Sequence, residues 1–522
     1  MTIATLPLAT KAEKTPLISA PVAATLLGVF ISAMMAGLNS RASSLALADI
    51  RGVLGVGIDQ GSWIPTLYSA GELLIMPFAG WFAITFSVRR FYLWMLWTAA
   101  VIATLTPLIT TPSLLLVLRF AQGVSAGALI PLLMMMALRF LPPSIRLHGL
   151  ALYALTATFT PNIAIWLVGQ WTDGVQDLRW VAWQFLPAAA FCSILVSWGL
   201  PKEPILWARF REMDWLALVT GVPGLALLAI GIAQGNRLDW FNSPLVTFCL
   251  VAGALCLLVF LHSEWSHPSP FIRFQLLERR NLYVGFTAFV IILIALYSGA
   301  SLPLDHLAAT QGYRAMQAAP IGLLIGLPQL LLGFIVAATL YNRHVDARML
   351  FALGMALIGA SCLMAAQLDS DWSWREFVPV QLMQAAGQPL AVISMLFLTT
   401  SVVAPAEGPF IAGLVNTLRA FGSLVGVAFV GRLELVREHL HTTVLSDRLG
   451  FVVNHLPSQA DIAGAGQEIS VQATTLAHAD IYRVLGALAL ATVPAALLFK
   501  RISAPGHTPV TPDKSDKTEP SS

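Results

Sequence analysis

Long apolar segments recur along most of the chain and are separated by short polar connections. A helix that crosses a bilayer needs about 20 mostly apolar residues, and fourteen segments meet that requirement. The pattern therefore predicts an all-α polytopic membrane protein with 14 transmembrane helices. The predicted spans are residues 17–39, 61–83, 91–110, 113–138, 148–171, 180–200, 214–234, 243–262, 282–304, 316–341, 347–368, 376–403, 408–431 and 481–499.

The spans fall into two sets of six with an extra pair between them. We expect an N-terminal six-helix half over residues 17–200, two additional helices over 214–262 and a C-terminal six-helix half over 282–499. Two six-helix halves related by an axis along the membrane normal form a known transporter architecture.

Two further regions are predicted to lie outside the membrane, together with the first residues of the chain. Residues 432–480 mix Asp, Gln, His and Asn and are expected to form a long periplasmic loop. That loop is either a docking surface for a periplasmic partner or a tolerated insertion. Residues 1–16 are expected to be a cytoplasmic N-terminus. Residues 503–522, rich in Pro, Ser, Thr and Lys, are expected to be a disordered cytoplasmic tail.

Composition supports the membrane assignment and excludes other classes. Hydrophobic residues make up 57% of the chain and charged residues 11%, whereas soluble domains carry about 25% charged residues. No basic block interleaved with aromatic residues suggests a nucleic-acid partner. We find no nucleophile–base pair, P-loop, nucleotide-binding glycine motif or metal cluster in the sequence, so neither an enzyme nor a cofactor is expected. The four cysteines lie in apolar segments without C-x-x-C spacing.

The distribution of Lys and Arg predicts the orientation in the membrane. Most of these residues lie in the termini and in the predicted loops of one side. The short loops of the other side carry six: Arg41, Arg51, Arg179, Arg237, Arg314 and Arg375. The positive-inside rule therefore places both termini in the cytoplasm.

The fourth predicted span contains an arginine within an apolar run. Burying a charge at mid-bilayer costs at least about 2.5–3.5 kcal/mol, so Arg119 is expected to have a partner or to line a polar path. Gln122 lies on the same helix face, and Gly123 and Gly127 form a G-x-x-x-G stripe that allows close helix packing. The twelfth span has amides at the same spacing, at Gln381 and Gln384, which indicates a weak internal repeat.

Several segments along the chain resemble one transporter family. They are LRFAQGVSAGALIPL in the fourth span, QGSWIPTLYSAGELLIMPFAGW at 60–81, RLDWFNSP at 237–244, FIRFQLLERRNLYVGF at 271–286 and NTLRAFGSLVGVA at 416–428. In this order and spacing they are similar to the 14-helix drug:proton antiporters of the major facilitator superfamily, most closely the EmrB-type efflux subunits. The resemblance implies a bacterial inner-membrane efflux pump that works with a periplasmic membrane-fusion adaptor and an outer-membrane channel.

The chain departs from this family at three motifs. Asn39 holds the position of the usual acid at the end of the first helix, and Ile84 replaces the usual Asp between the second and third helices. The antiporter motif of the fifth helix retains only Gly169. These changes remove the residues through which the family usually couples proton movement.

Glu72 is the leading candidate for a proton-coupling group. It lies midway along the second span among apolar neighbours, and a carboxylate in a helix bundle of low dielectric takes up a proton more readily than one in water. The alternative is a structural ion pair between Glu72 and Arg119 or Arg41. Arg119, with Gln122, would either pair with the coupling acid or bind an anionic group of the substrate. Arg419 would either form the polar site of the second half or extend to the membrane interface.

Other polar and aromatic residues within the spans are candidates for the substrate cavity. The prolines at positions 161 and 389 break the backbone bonding of their helices close to several of them. Each candidate could equally contact a neighbouring helix or, for the tryptophan, lipid. The candidates are Asn39, Asn162, Trp166, Gln381, Gln384, Gln388 and Asn416. Asp305 and His306 lie at the outer end of the ninth span, where they could pass protons, although an exposed pair is the favoured interpretation.

The sequence therefore predicts a multi-pass inner-membrane secondary transporter that exports amphipathic small molecules in exchange for protons by alternating access. Its partners would be the substrate, protons, the lipid bilayer and, through the resemblance, the adaptor and channel. A facilitator or a metabolite or siderophore exporter with altered coupling is the first alternative. A transport-incompetent scaffold or sensor is the second.

Overall fold

A computed structural model describes residues 19–450 and 459–504. Within these ranges the chain is helical and contains no β-strand. Fourteen helices are long and apolar enough to cross a membrane, which confirms the predicted number. They are α1 (Ala20–Leu45), α2 (Ile58–Phe86), α3 (Val88–Leu108), α4 (Pro112–Phe140), α5 (Arg146–Gly174), α6 (Trp180–Gly199), α7 (Trp215–Gly235), α8 (Pro244–Ser266), α9 (Arg280–Gln311), α10 (Ala315–Thr339), α11 (Ala347–Ala365), α12 (Val378–Thr400), α13 (Gly408–Leu449) and α14 (Gly464–Leu498).

The helices alternate in direction, so one end of the bundle holds the start of α1 and the end of α14. We call this the inner end and the opposite one the outer end. The first six helices pack together, as do the last six, and the two groups meet mainly where α5 packs along α10 and α2 packs along α13. The bundle therefore has two halves with an interface between them.

The extra pair, α7 and α8, packs against α2 and, more lightly, α13. Gly224 and Gly253 face each other across this pair, and a Cβ on Gly224 would lie 3.3 Å from the Gly253 carbonyl oxygen. The face of α8 that points away from the bundle is apolar and exposed, with Phe248 63% and Leu258 62% accessible. Because a bilayer supplies an apolar solvent for such a face, α8 is suited to lie against lipid.

Glycines bring α2 and α4 into direct backbone contact. A Cβ on Gly71 would collide with the Phe120 carbonyl oxygen, and one on Gly123 would collide with the Tyr68 carbonyl oxygen. A Cβ on Gly127 would lie 2.8 Å from Glu72 Cα. The G-x-x-x-G stripe predicted on the fourth span is therefore the surface that holds α2, and it fixes the height of Glu72 within the bundle.

The described residues of the predicted loop, 432–450 and 459–480, are helical. The helix that contains α13 continues to Gly450, and the helix that contains α14 begins at Gln459. Side chains join the two extensions, with Thr474 donating to Glu438 at 2.9 Å. Polar helices that pair with each other beyond the bilayer carry no apolar signal, which explains why hydropathy does not find them. Residues 1–16 and most of the predicted tail lie outside the described residues.

Candidate transport site

A cavity of about 420 Å³ lies between the two halves and reaches toward the outer end. Its walls come from α1, α2, α4, α5, α7, α9 and α13. Ligand pockets of about 300–1,000 Å³ accommodate drug-sized molecules, so this space suits a small organic substrate. The polar lining residues are Ser40, Arg41, Ser44, Ser62, Thr66, Ser69, Glu72, Thr156, Thr160, Asn236, Arg419 and Ser423. The remainder of the lining is largely apolar, including Leu73, Met76, Ile130, Ile232, Leu293, Leu424 and Val427.

Glu72 lies in the wall of this cavity, one helix turn from Ser69 and Met76, which also line it. Its Oε2 accepts a long hydrogen bond of 3.4 Å from Ser40. Among the described residues no cation lies within 4 Å of the Glu72 carboxylate. The structure thus gives no support to a structural ion pair with Arg41 or Arg119. The carboxylate faces open space between the halves.

Arg419 and Asn416 of α13 bond to α5 at the inner boundary of the cavity. Arg419 donates to Thr156 Oγ1 at 2.6 Å and to the Thr156 carbonyl oxygen at 2.7 Å. Tyr153 donates to Asn416 Oδ1 at 3.0 Å. Both contacts cross from one half to the other. Arg419 lines the same cavity as Glu72, whereas Asn416 lies buried one turn nearer the inner end.

A smaller cavity of about 140 Å³ adjoins the larger one. Arg41 lines both, and its guanidinium donates to Ser301 Oγ of the other half at 2.6 Å. Asn162 and Gln388 line the smaller cavity. Gln388 accepts a 2.7 Å hydrogen bond from Gln329, so its amide carbonyl is already occupied.

The other amides of α12 bond within the C-terminal half. Gln384 donates to Ser298 at 3.0 Å and to Ser361 at 2.8 Å, and it accepts from Gln388 at 3.1 Å. Gln381 donates to the Gly299 carbonyl oxygen at 2.9 Å. The bonds to Ser298 and Gly299 hold α12 against the break in α9, where the helix tightens into a 3₁₀ turn at Leu296–Ser298, and the bond to Ser361 joins α12 to α11.

Arg119 and Gln122 are buried but lie outside both cavities. Arg119 is 3% exposed and donates to Gln122 at 3.1 Å, while its Nε has no partner. Asn39 is also buried, and neither atom of its amide has a partner. Trp166 is half-buried on α5 and lines neither cavity. The structure therefore brings Glu72 and Arg419 together around one space and separates Arg119, Gln122, Asn39 and Trp166 from it.

Arg41, Thr156 and Ser40 are site residues that the list of candidates lacks. Arg41 is the one charge within the apolar run of α1, so the buried-charge argument applied to Arg119 also points to it. Thr156 and Ser40 carry no comparable signal in the sequence. The expected exposure of His306 is wrong, because this side chain is fully buried.

The halves also touch at both ends. At the inner end Tyr341 accepts a 3.1 Å bond from the Leu147 backbone, and a Cβ on Gly80 would lie 2.9 Å from the Pro409 carbonyl oxygen. At the outer end Arg314 pairs with Asp173 at 2.7 Å and Asp49 at 3.2 Å. Tight packing between the halves closes the cavity at the inner end. Beside its outer end, side-chain ion pairs connect the two halves.

A bundle of 14 membrane helices with a polar cavity between two six-helix halves defines a membrane transporter. The family model described as the Major Facilitator Superfamily matches residues 29–427, and the chain belongs to that family. The chain is 26% identical to the multidrug export protein EmrB of Haemophilus influenzae, covering 81% of this chain and 82% of that one. It is 26% identical to the probable multidrug resistance protein EmrY of Escherichia coli K12 (91% and 94% covered) and to the fatty acid resistance protein FarB of Neisseria gonorrhoeae (83% and 85%).

Solved structures support the same fold at lower sequence identity. An autoinhibited peptide transporter of the POT family superposes with a TM-score of 0.56 at 15% identity, covering 93% of this chain and 98% of that one. The human organic anion transporter MFSD10 superposes with a TM-score of 0.54 at 14% identity, covering 91% and 100%. The predicted fold class and the assignment as a transporter rather than an enzyme are both confirmed.

Proposed function

We propose that the chain exports amphipathic small molecules in exchange for protons, with Glu72 as the coupling group. The observation that carries the proposal is the position of Glu72 in the cavity between the halves, without an ion-pair partner among the described residues. A carboxylate there is exposed to each side in turn as the halves alternate. Glu72 would bind a proton from the outside and release it to the inside. This proton movement would return the substrate-free protein from its outward-open to its inward-open state.

Arg419 supports this role from the opposite half. It lines the same cavity, and its contacts with Thr156 engage a hydroxyl and a carbonyl rather than a carboxylate. Its positive charge is therefore not neutralised by an ion pair. Substrate entry or a change in the protonation of Glu72 alters the field that Arg419 experiences, which links the two halves electrostatically.

The test is transport by Glu72→Gln in proteoliposomes with an imposed pH gradient. We expect the substitution to abolish gradient-driven uptake while downhill exchange of substrate without a gradient continues. Glu468→Gln, an exposed glutamate on α14, is the control and should transport at the wild-type rate. Gradient-driven transport at the wild-type rate by Glu72→Gln would show that coupling does not require this carboxylate.

The chemistry of the cavity favours anionic amphiphiles as substrates. Two arginines and one glutamate line it together with hydroxyls and apolar side chains. Arg41 lines the cavity, and among the described residues its guanidinium makes one side-chain hydrogen bond, to Ser301, so its other terminal N–H groups can bind an anionic group. The relative from Neisseria gonorrhoeae is named for resistance to fatty acids, which are themselves anionic amphiphiles.

Decyl sulfate and decyltrimethylammonium share a chain length and differ in permanent charge, so they test this preference. We expect decyl sulfate to be the better substrate and Arg41→Gln to raise its KM about tenfold, since a charged hydrogen bond contributes about 1.5–3 kcal/mol. Arg179→Gln, an exposed arginine at the outer end, should leave KM unchanged. Preference for the cation in the wild-type protein would contradict an anionic substrate class.

A facilitator with altered coupling is the second candidate function. The observation that favours it is Asn39, which holds the usual position of an acid and is buried away from the cavity. Proton flux measured during substrate flux separates the two. A facilitator moves substrate without protons, whereas the exporter moves both.

We propose further that the chain lies in a bacterial inner membrane with the inner end facing the cytoplasm, as the Lys and Arg distribution predicts. The paired extensions of α13 and α14 would then project into the periplasm, where an adaptor of a tripartite pump could bind. Accessibility of single cysteines placed at residues 202 and 436 to a membrane-impermeant reagent tests the orientation. We expect reaction only at position 436 in intact spheroplasts.

A further inference from the structure

A chain of hydrogen bonds joins two buried histidines to a glutamate outside the cavity. His306 Nδ1 on α9 lies 3.2 Å from His478 Nδ1 on α14. His306 Nε2 lies 3.1 Å from the Asp369 carbonyl oxygen, and His478 Nε2 lies 3.2 Å from Glu434 Oε1 on the α13 helix. His306 is 0% and His478 1% exposed. The contacts run in series and connect the α11–α12 link, α9, α14 and α13.

The number of protons in this network follows from its acceptors. The Asp369 carbonyl only accepts, so His306 Nε2 donates. If His306 carries this proton alone, its Nδ1 accepts and His478 Nδ1 donates. The contact between His478 Nε2 and Glu434 then needs a third proton on one of its two atoms, because otherwise two lone pairs face each other. Reversing the central bond gives the same total.

Two neutral imidazoles and an ionised carboxylate hold only two protons. The complete network holds three, and the additional proton is either shared with Glu434 or carried on an imidazole ring. Without it, one of the three contacts becomes repulsive. Protonation therefore decides whether the outer part of α9 is tied to the paired helices α13 and α14.

The charged side chains nearest to Glu434 and His478 on α13 and α14 have other partners. Asp480 is engaged by His441, Arg437 and Arg483, and Glu438 accepts from Thr474. Phe377 packs edge-on against His306 at 6.1 Å and forms an apolar wall. Among the described residues, the other titratable or charged groups that face the network are the Asp369 carboxylate on the α11–α12 link, Asp305 and Tyr297 on α9, Cys362 on α11, Tyr482 on α14 and Arg41 on α1.

A polar route leads from the smaller cavity toward this network. Tyr297 lines that cavity and donates to Asp305 Oδ2 at 2.9 Å. Asp305 immediately precedes His306 and lies within electrostatic range of Glu434 and His478. Among the described residues no group of three His, Cys, Asp or Glu is arranged to hold a metal. All four ring nitrogens of the two histidines already contact protein atoms.

We propose that His306, His478 and Glu434 form a second proton-binding site, separate from Glu72, which takes up one proton per chain. Its protonated form clamps the outer part of α9 to the α13 and α14 helices. A role for this site in transport rests on the proposed function, whereas proton binding by the network does not.

The first experiment detects the proton directly in the full chain reconstituted in liposomes at pH 8, where exposed histidines are neutral. Solid-state NMR of isotope-labelled histidine nitrogens reports a doubly protonated ring, and the infrared carbonyl band reports a protonated carboxyl group. We expect the wild-type protein to show one of the two and both Glu434→Gln and His478→Asn to lose it. Glu468→Gln and His439→Asn, exposed residues of the same helical pair, should retain it.

Absence of both signals in the wild-type protein, or their survival in Glu434→Gln, would overturn the proposal. The conservative Glu434→Gln substitution also guards against misfolding, because its amide can donate to a neutral His478. The second experiment measures proteoliposome transport of decyl sulfate against pH. We expect Glu434→Gln to flatten the part of this pH dependence that lies above pH 8, where the wild-type network releases its additional proton. If the wild-type protein does not transport decyl sulfate, the proposed anionic substrate class fails while the spectroscopic result stands.

Discussion

Buried arginines occupy two different environments in this protein. Arg119 and Arg41 both lie within apolar helices. The first contacts Gln122 in the interior, and the second lines both cavities. Glu72 was predictable for the same reason and does line the cavity. The difference depends on which helix face meets the other half, which a single helix does not encode.

Glu407, which lies outside the membrane spans, contributes to stability in a way that depends on pH. Glu407 precedes α13 and accepts from Arg279 at 2.7 and 2.8 Å and from the Ala404 backbone at 2.9 Å. Hydrogen bonds from Arg279 hold the pKa of Glu407 below its usual value of 4.5. A lowered pKa in the folded state contributes stability above that usual value, and this stability is lost as pH falls through the folded-state pKa.

We therefore expect Glu407→Gln to lower stability at pH 7 by at most about 1 kcal/mol, because Arg279 is partly exposed and solvent screens the pair. The difference from wild type should shrink as pH falls below about 4.5. Thermal unfolding midpoints in detergent across this pH range provide the measurement. Glu278→Gln, an exposed neighbour, should match wild type at every pH; an unchanged Glu407→Gln at pH 7 would refute the contribution.

At the scale of helices, hydropathy predicted the number of spans, and the glycine stripe predicted a close helix contact on α4 without indicating that the partner is α2. The paired extensions beyond α13 and α14 were missed because their stability comes from side chains of the partner helix rather than from an apolar run. The break in α9 was missed as well. Gly299 directly follows the turn at Leu296–Ser298, and Pro303 lies in the first turn of the helix that resumes at Ser301. Both residues mark the break, but a hydropathy pattern does not register them.

The α2–α4 contact predicts a specific cost for adding one methyl group. Gly123→Ala places a Cβ against the Tyr68 carbonyl oxygen, and backbone cannot move aside as a flexible side chain can. Overpacking of this kind costs about 1–3 kcal/mol, so the thermal unfolding midpoint should fall.

Gly52→Ala is the matched control for that experiment. A Cβ on Gly52 meets no atom within 4 Å, so alanine there should be neutral or slightly stabilising. Equal midpoints for the two variants would show that α2 and α4 are not in backbone contact.

At the scale of the whole molecule, the halves are held together by different forces at the two ends. Close backbone packing of Gly80 against Pro409 and a hydrogen bond from the Leu147 backbone to Tyr341 join the halves at the inner end. Ion pairs of Arg314 with Asp173 and Asp49 bridge the outer end. These pairs raise the pKa of Arg314, so they persist throughout the physiological pH range. Arg314 is 60% exposed, and salt should weaken its attraction to both aspartates.

Arg314→Ala should shift the protein toward states that are open at the outer end. Distances between spin labels at the outer ends of α5 and α10, measured in nanodiscs, should lengthen or broaden relative to wild type, and high salt should produce a similar change in the wild-type protein. Arg375→Ala removes a charge from the same end without an ion-pair partner among the described residues and should have no effect. Unchanged distances in Arg314→Ala would mean that these pairs do not govern outer closure.

Because the α13 helix is long, a rotation of this helix at the cavity displaces its far end by a larger distance. Its 43 residues from Gly408 to Gly450 span about 65 Å at 1.5 Å per residue, roughly twice the thickness of the hydrocarbon core. Arg419 lies near one end of this rod, at the cavity. A rotation that moves Arg419 by a fraction of an ångström about the inner end displaces the far tip several times as much. A small rearrangement at the cavity would therefore produce a displacement about four times as large at the far end of the helix.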